Sequence, residues 1–302
     1  MRVGLLNLEP KYHNYALDKL RVYWQAQGAD VEDYMALSFN SYDRIYCSSI
    51  FSWTPKNNLP PNAVCGGTGF NLTDCLPPEI EEVKPHLNYG FSTRGCIRKC
   101  QFCVVPQKEG KIRVVGDLMD LWDGKAKDVV LYDNNILALP EHFALVCQQA
   151  HQNKIRLDFN QGLDHRLLTP EIAGIMAVTP HKEYHMAFDH PKYKASVVKA
   201  LDLLQDAGIN RCNWYVLVGY DTTFQEDLER LNYLKLRNQN AYVQRYNMRT
   251  DKRLTALARW ANQHRIFQGM TWEQFLAHPD NLRYKEIRLR QGFQSKGFKE
   301  GE

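Results

Sequence analysis

From Asn88 onward, short apolar runs alternate with segments whose apolar residues recur every three or four positions, and the alternation repeats six times. The short runs read as buried strands and the longer period as amphipathic helix. Strands are expected at Asn88–Thr93, Val129–Tyr132, Ile155–Phe159, Tyr184–Phe188, Trp214–Val218 and Ala241–Tyr246. Between them a helix is expected around Gly116–Trp122, a second opens at Pro140 with Phe143, Val146, Cys147 and Ala150 on one face, and a third starts at Thr169-Pro170. A fourth carries Val197, Ala200, Leu201 and Leu204 and stops at Gly208. A fifth opens on the capping box Thr223-x-x-Glu226, and a sixth follows Thr250 with Leu254, Leu257, Ala258 and Ala261 inward. Such alternation predicts an α/β fold of parallel strands with crossover helices.

Residues 1–85 predict a smaller α/β unit. Val3–Leu6 is a strand-like run, Leu17, Leu20 and Trp24 share a helical face that Gly28 ends, and Ala29–Tyr34 and Arg44–Ile50 are further strands. The stretch Gly66-Gly67-Thr68-Gly69 reads as a tight turn or as a phosphate-cradling loop. At the other end, residues 264–302 hold the aromatics Trp272, Phe275 and Tyr284, then a Gly/Lys-rich tail, Gln291 to Glu302, expected to be mobile.

Composition adds three constraints. A chain of 302 residues with 44% hydrophobic and 24% charged content can bury one large core and a small one. No apolar run approaches the ~20 residues needed to span a bilayer, and the run within Met1–Leu8 is too short for a signal peptide. A cytoplasmic protein with no membrane partner is therefore expected, in which clustered cysteines read as metal ligands rather than disulfides. The net charge of +4 is uneven: residues 1–85 carry 7 Lys/Arg against 10 Asp/Glu, whereas residues 249–302 carry 11 against 6. A basic end suits nucleic acid, or is simply a solvated surface.

The chemistry concentrates in Arg94-Gly95-Cys96-Ile97-Arg98-Lys99-Cys100-Gln101-Phe102-Cys103. Cys96, Cys100 and Cys103 are spaced C-x3-C-x2-C, so one loop can aim three thiolates at a single centre. Soft thiolates select zinc, copper(I) or iron–sulfur clusters, and three protein ligands leave one position open. The other readings are a zinc site completed by His86, or three unrelated buried thiols. Cys47 and Cys147 lie in apolar patterns and read as core. In parallel α/β folds reactive groups collect at the C-terminal strand ends. Those ends are polar here: Asp133-Asn134-Asn135, Asn160-Gln161 with Asp164 and Arg166, Asp189, Gly219-Tyr220-Asp221, and Arg245-Tyr246-Asn247.

The C-x3-C-x-aromatic-C loop and the six β/α units together resemble the radical S-adenosylmethionine (SAM) superfamily, with its partial (β/α)6 TIM-like barrel, over roughly residues 86–263. The resemblance implies that Cys96, Cys100 and Cys103 hold a [4Fe-4S] cluster whose remaining iron is chelated by SAM, with Phe102 against the adenine. Asp133-Asn134-Asn135 stands where the family has Gly-Gly-Glu, which holds the methionine ammonium. By the same resemblance Asn160 and Gln161 reach the ribose or methionyl carboxylate, and the Gly219 backbone lies along the adenine. Arg166 either pairs with that carboxylate or bridges Asp164. An electron donor of the flavodoxin or ferredoxin type is implied, and the substrate is left open. Residues 1–85 resemble a shortened cobalamin-binding Rossmann-like domain but lack its Asp-x-His-x-x-Gly, so no cobalamin is expected. Two other functions fit the sequence: an RNA-modifying enzyme similar to the methylthiotransferases, and a non-catalytic zinc- or iron–sulfur-binding scaffold.

Overall fold

Parallel pairing dominates the computed structural model, which describes residues 1–248, 250–284 and 286–287. The chain divides into two units, Met1–Asn134 and Asn135 onward, each of mixed α/β structure. The tail Gln291–Glu302 lies outside the described residues.

The first unit begins with β1 (Arg2–Asn7), α1 (Tyr15–Ala26), β2 (Asp30–Asp33), β3 (Arg44–Ser48) and β4 (Ala63–Gly66). These strands form a parallel sheet in the order β2-β1-β3-β4. Asn14 caps α1 by accepting from the Leu17 amide, and Leu17 and Leu20 bury against Val3, Leu5 and Ile80. Ile80 comes from α2 (Pro78–Glu81). β4 escaped the sequence pattern because it is a four-residue edge strand with Val64 more than half exposed, so it shows no alternation. It places Cys65 directly opposite Cys47 of β3.

Next come β5 (Tyr89–Gly90), β6 (Thr93–Arg94), α3 (Val105–Lys108), β7 (Arg113–Val114) and β8 (Asp128–Leu131). The expected strand Asn88–Thr93 is thus two pieces. β5 pairs in parallel with β8, whereas β6 turns away to pair antiparallel with β7. The break falls where Ser92 leaves the ladder: its carbonyl accepts from Val115 and Gly116. The helix expected around Gly116–Trp122 is a single turn. Asp117 accepts from the Met119 and Asp120 amides, and Asp123 accepts from Lys125 and Ala126. Two such Asx turns so close together leave too little chain to propagate a helix.

The second unit follows the expected alternation closely: α4 (Pro140–Asn153), β9 (Arg156–Phe159), α5 (Pro170–Val178), β10 (His185–Ala187), α6 (Lys194–Asp206), β11 (Asn213–Val218), α7 (Phe224–Leu236), β12 (Asn240–Arg245), α8 (Lys252–Ala261), α9 (His264–Gly269) and α10 (Trp272–Ala277). β10, β11 and β12 are parallel neighbours. Thr169 and Thr223 cap α5 and α7 as their positions suggest, the latter through a complete capping box with Glu226. Gly208, at φ +80°, follows the end of α6. Phe143, Val146, Cys147 and Ala150 form the buried stripe of α4, and Trp214, Val216, Leu231, Leu234, Leu257 and Trp260 belong to the core. Among the described residues no helix is long and apolar enough to cross a membrane.

Candidate functional site

In the first unit the cysteine loop is the connection between β6 and β7. Gly95 opens it at φ +85°, where an added Cβ would come within 2.4 Å of the Lys111 carbonyl oxygen, so the loop's two arms touch through a glycine. The Cys96 amide donates to the Gly110 carbonyl at 3.2 Å, and the Cys103 amide donates to the Cys100 carbonyl at 3.0 Å. The Arg98 amide donates to Cys96 Sγ at 3.3 Å. Cys96, Cys100, Cys103 and Phe102 are all half-buried.

Two strand-end residues of this unit hold the hairpin. Asp133 is 4% exposed. Its Oδ1 accepts from the Ser92 hydroxyl at 3.0 Å and from both the amide and the hydroxyl of Thr93, and its Oδ2 accepts from the Ser92 amide at 3.3 Å. Burial raises its pKa, against those bonds, which lower it. Asn134 donates through Nδ2 to Glu109 Oε2 at 2.8 Å, and the same oxygen accepts from the Gly95 amide at 2.7 Å. Glu109 Oε1 also stands 3.5 Å from Arg94 Nε. Sequence reasoning passed over Glu109; its signal was a lone acid in the basic run Lys108-Glu109-Gly110-Lys111.

The donor set suits an iron–sulfur cluster on its chemistry. Three thiols share one short, internally braced loop, and a backbone N–H already points at one sulfur, the kind of contact that orients and tunes a metal-bound thiolate. Among the described residues no three or more His, Cys, Asp or Glu side chains are grouped as ligands of a single metal ion. A cubane asks for less convergence, because each thiolate binds a different iron.

In the second unit Asn135 and Arg166 meet on one carboxylate. Asn135 Nδ2 donates to Asp164 Oδ2 at 3.2 Å, and Arg166 donates to Asp164 through Nε at 2.7 Å and Nη2 at 3.2 Å. Of the two roles open to Arg166 in the sequence, this arrangement is the bridge to Asp164. Its guanidinium also lies 4.9 Å from the Tyr193 ring centre. Asn160 and Gln161 are exposed at the end of β9, and the Asn160 carbonyl accepts from the Tyr215 hydroxyl at 2.6 Å. Gly219 belongs to a different cluster, where its N–H donates to Asp227.

That cluster was not anticipated. Asp227 and Arg230, on α7, are an almost wholly buried ion pair at 2.5 Å. Arg230 also donates to the Phe188 carbonyl and, at 2.9 Å, to the Leu217 carbonyl, near the ends of β10 and β11. Its signal was two opposite charges at i and i+3 beside the apolar stripe of Leu228, Leu231 and Leu234. Asp189 lies beside it, with Oδ1 accepting from the Leu217 amide at 3.3 Å.

Burial pushes the Asp189 carboxyl from 3.8 up to about 6, Arg230 and Arg166 pull it down, and Asp164 pushes it further up. Between about pH 4 and pH 6 the native carboxyl keeps a proton that the unfolded chain has lost. Its contribution to stability therefore falls as pH rises through that window and stays low above it. Asp189→Asn is expected to remove this loss, so that the gain of the variant over the parent in urea unfolding grows from pH 4 to pH 6. A gain constant with pH would contradict the assignment.

Compared with known proteins, no protein-family model matches the chain, and no curated protein matches it either.

Proposed function

We propose that this chain is a radical SAM enzyme carrying one [4Fe-4S] cluster. The observation that carries the reading is the braced C-x3-C-x2-C loop, with Phe102 before its last cysteine and the Arg98 amide directed at Cys96 Sγ. Cys96, Cys100 and Cys103 would hold the cluster. When bound and reduced by a flavodoxin- or ferredoxin-type donor, such a cluster supplies the electron that cleaves the SAM sulfonium to methionine and a 5′-deoxyadenosyl radical, which takes hydrogen from substrate. A partial (β/α)6 barrel is part of the same reading, and the in-register parallel run β10-β11-β12 with its crossover helices supports it.

The chain's own residues have identifiable tasks in this scheme. Asp133 anchors the start of the hairpin through Ser92 and Thr93, and Glu109 ties its two arms together through Gly95 and Arg94. Both brace the backbone on which the thiols are carried, as the residues behind a metal-binding loop must. Asn134 acts through Glu109 and so positions the loop. The bonds to Asp133 engage both of its oxygens, so in this arrangement it is a positioning residue.

The test is anaerobic reconstitution with iron and sulfide. Broad visible absorption and SAM-dependent release of 5′-deoxyadenosine are expected; colourless protein holding stoichiometric zinc would replace the proposal with the scaffold reading. Cys100→Ala is expected to abolish cluster assembly. Cys147→Ala is expected to spare it, because that thiol is buried in α4 and pushed up to about 12 by burial. Equal iron content in the two purified variants would contradict the assignment.

A further inference from the structure

β4 runs along the edge of the first unit's sheet in register with β3, so that Cys47 faces Cys65 and Ser48 faces Gly66. Residues opposed in a parallel pair project to the same face of the sheet. Neighbouring strands lie about 4.8 Å apart, and the Cα atoms of a disulfide are usually about 4.4–6.8 Å apart. The two cysteines can therefore be joined with the strand register intact.

The two thiols differ in access. Cys47 is 2% exposed, and burial, followed by the neighbouring Cys65, pushes its thiol up to about 12. Cys65 is half-buried on the edge strand, with its thiol 3.6 Å from the Ala63 carbonyl. One buried free cysteine behaves as a small apolar side chain. A reachable sulfur set opposite a buried one is also the arrangement in which the first is captured by an oxidant and the second displaces it. Between the two cysteines, residues 49–62 form a loop without helix or strand. Beyond β4 the chain is already fastened to the start of that loop: the Gly69 amide donates to the Ser49 carbonyl at 2.8 Å, and the Thr68 hydroxyl to the Ile50 carbonyl at 2.5 Å.

We propose that Cys47 and Cys65 form a reversible redox pair, closed by a low-molecular-weight disulfide and reopened by small thiols. The Cys65 thiolate attacks one sulfur of the small disulfide and breaks its S–S bond. One small thiol leaves, taking up the proton that Cys65 gave up, and a mixed disulfide remains on Cys65. Cys47 then loses its proton and attacks the Cys65 sulfur, forming the Cys47–Cys65 bond and releasing the second small thiol with that proton. Two protein thiols are oxidised and one small disulfide is reduced to two thiols. The closed bond ties the edge strand to its neighbour and restricts the intervening loop in the unfolded chain. Neither residue belongs to the C-x3-C-x2-C loop, so the pair stands or falls separately from the radical reading.

The test incubates the full chain in air-free glutathione buffer, rich either in the disulfide or in the thiol form. Remaining thiols are alkylated in denaturant and the digest is mapped by mass spectrometry. In the disulfide-rich buffer a peptide linked through Cys47 and Cys65 is expected, and dithiothreitol is expected to restore both thiols. Oxidation is expected to raise the thermal unfolding midpoint of the parent. Cys75→Ser, at an exposed position, is expected to keep both the link and the rise, and Cys65→Ser to lose both. Should Cys65→Ser fail to fold, the parent's own peptide map decides. Cys47 fully alkylated after the disulfide-rich buffer would overturn the pair, as would Cys47 linked to Cys75 instead of Cys65. An unchanged midpoint in the linked protein would equally overturn it, since the bond would then restrain nothing.

Discussion

Arg230→Met is expected to destabilise the second unit by about 3–5 kcal/mol, the usual result of removing one partner of a buried ion pair. Arg230 and Asp227 are 2% and 0% exposed, so the carboxylate left behind cannot turn to water. Burial already raises the Asp227 pKa, with the Thr222 hydroxyl bond and the Arg230 charge opposing it, and without the guanidinium it would have to take up a proton. The carbonyls of Phe188 and Leu217 would also lose their donor. Removing both charges, as Arg230→Met with Asp227→Leu, is expected to recover much of the loss, because two apolar residues need no partner. Urea unfolding of the single and double variants measures both effects. A single variant within about 1 kcal/mol of the parent would show that the pair contributes little.

Gly95→Ala should badly damage the hairpin of the first unit. At φ +85° alanine is strained whatever the space around it, and here its Cβ would meet the Lys111 carbonyl oxygen at 2.4 Å and the Gly110 carbonyl oxygen at 2.8 Å. Those are backbone atoms, so relief requires the loop's arms to separate, breaking the Cys96 bond to the Gly110 carbonyl and the Gly95 bond to Glu109. We expect a cost of about 3 kcal/mol or more in the hairpin, together with loss of iron uptake on reconstitution despite intact cysteines. Gly124→Ala is a useful comparison: its φ is also positive, at +81°, but nothing lies within 4 Å of the added atom. A Gly95 variant that loaded iron as well as the Gly124 variant would show that the close approach of the arms is dispensable.

These two positions mark how far the sequence could be read. Thr169, Thr223 and the α4 stripe were legible because their causes are local: a hydroxyl meets an amide three residues on, or apolar residues recur on one face. The broken strand at Ser92 was not, because the groups that draw it off the ladder are distant in sequence: the Val115 and Gly116 amides on its carbonyl, and Asp133, about 40 residues downstream, on Ser92 and Thr93. The helix expected around Gly116–Trp122 failed for a local reason: Asp117 ties off the Met119 and Asp120 amides within it, and Asp123 those of Lys125 and Ala126 just beyond it. At the candidate site the three cysteines and the polar strand ends were visible as residue types. Which carboxylate each residue meets was not: Arg166 on Asp164 and Asn134 on Glu109 are pairings that only the folded backbone brings about.

The pairing of β10 with β11 and of β11 with β12 also has a kinetic consequence. His185 opposes Asn213, and Asn213 opposes Asn240, so each contact closes a chain segment of roughly 27 or 28 residues, and closure entropy differs negligibly between them. Neither pairing has a head start from chain length, and neither can form as a hairpin. The order in which these strands assemble is therefore left to the crossover helices, and α7, with its self-contained capping box, is the natural first structure for both neighbours to condense upon.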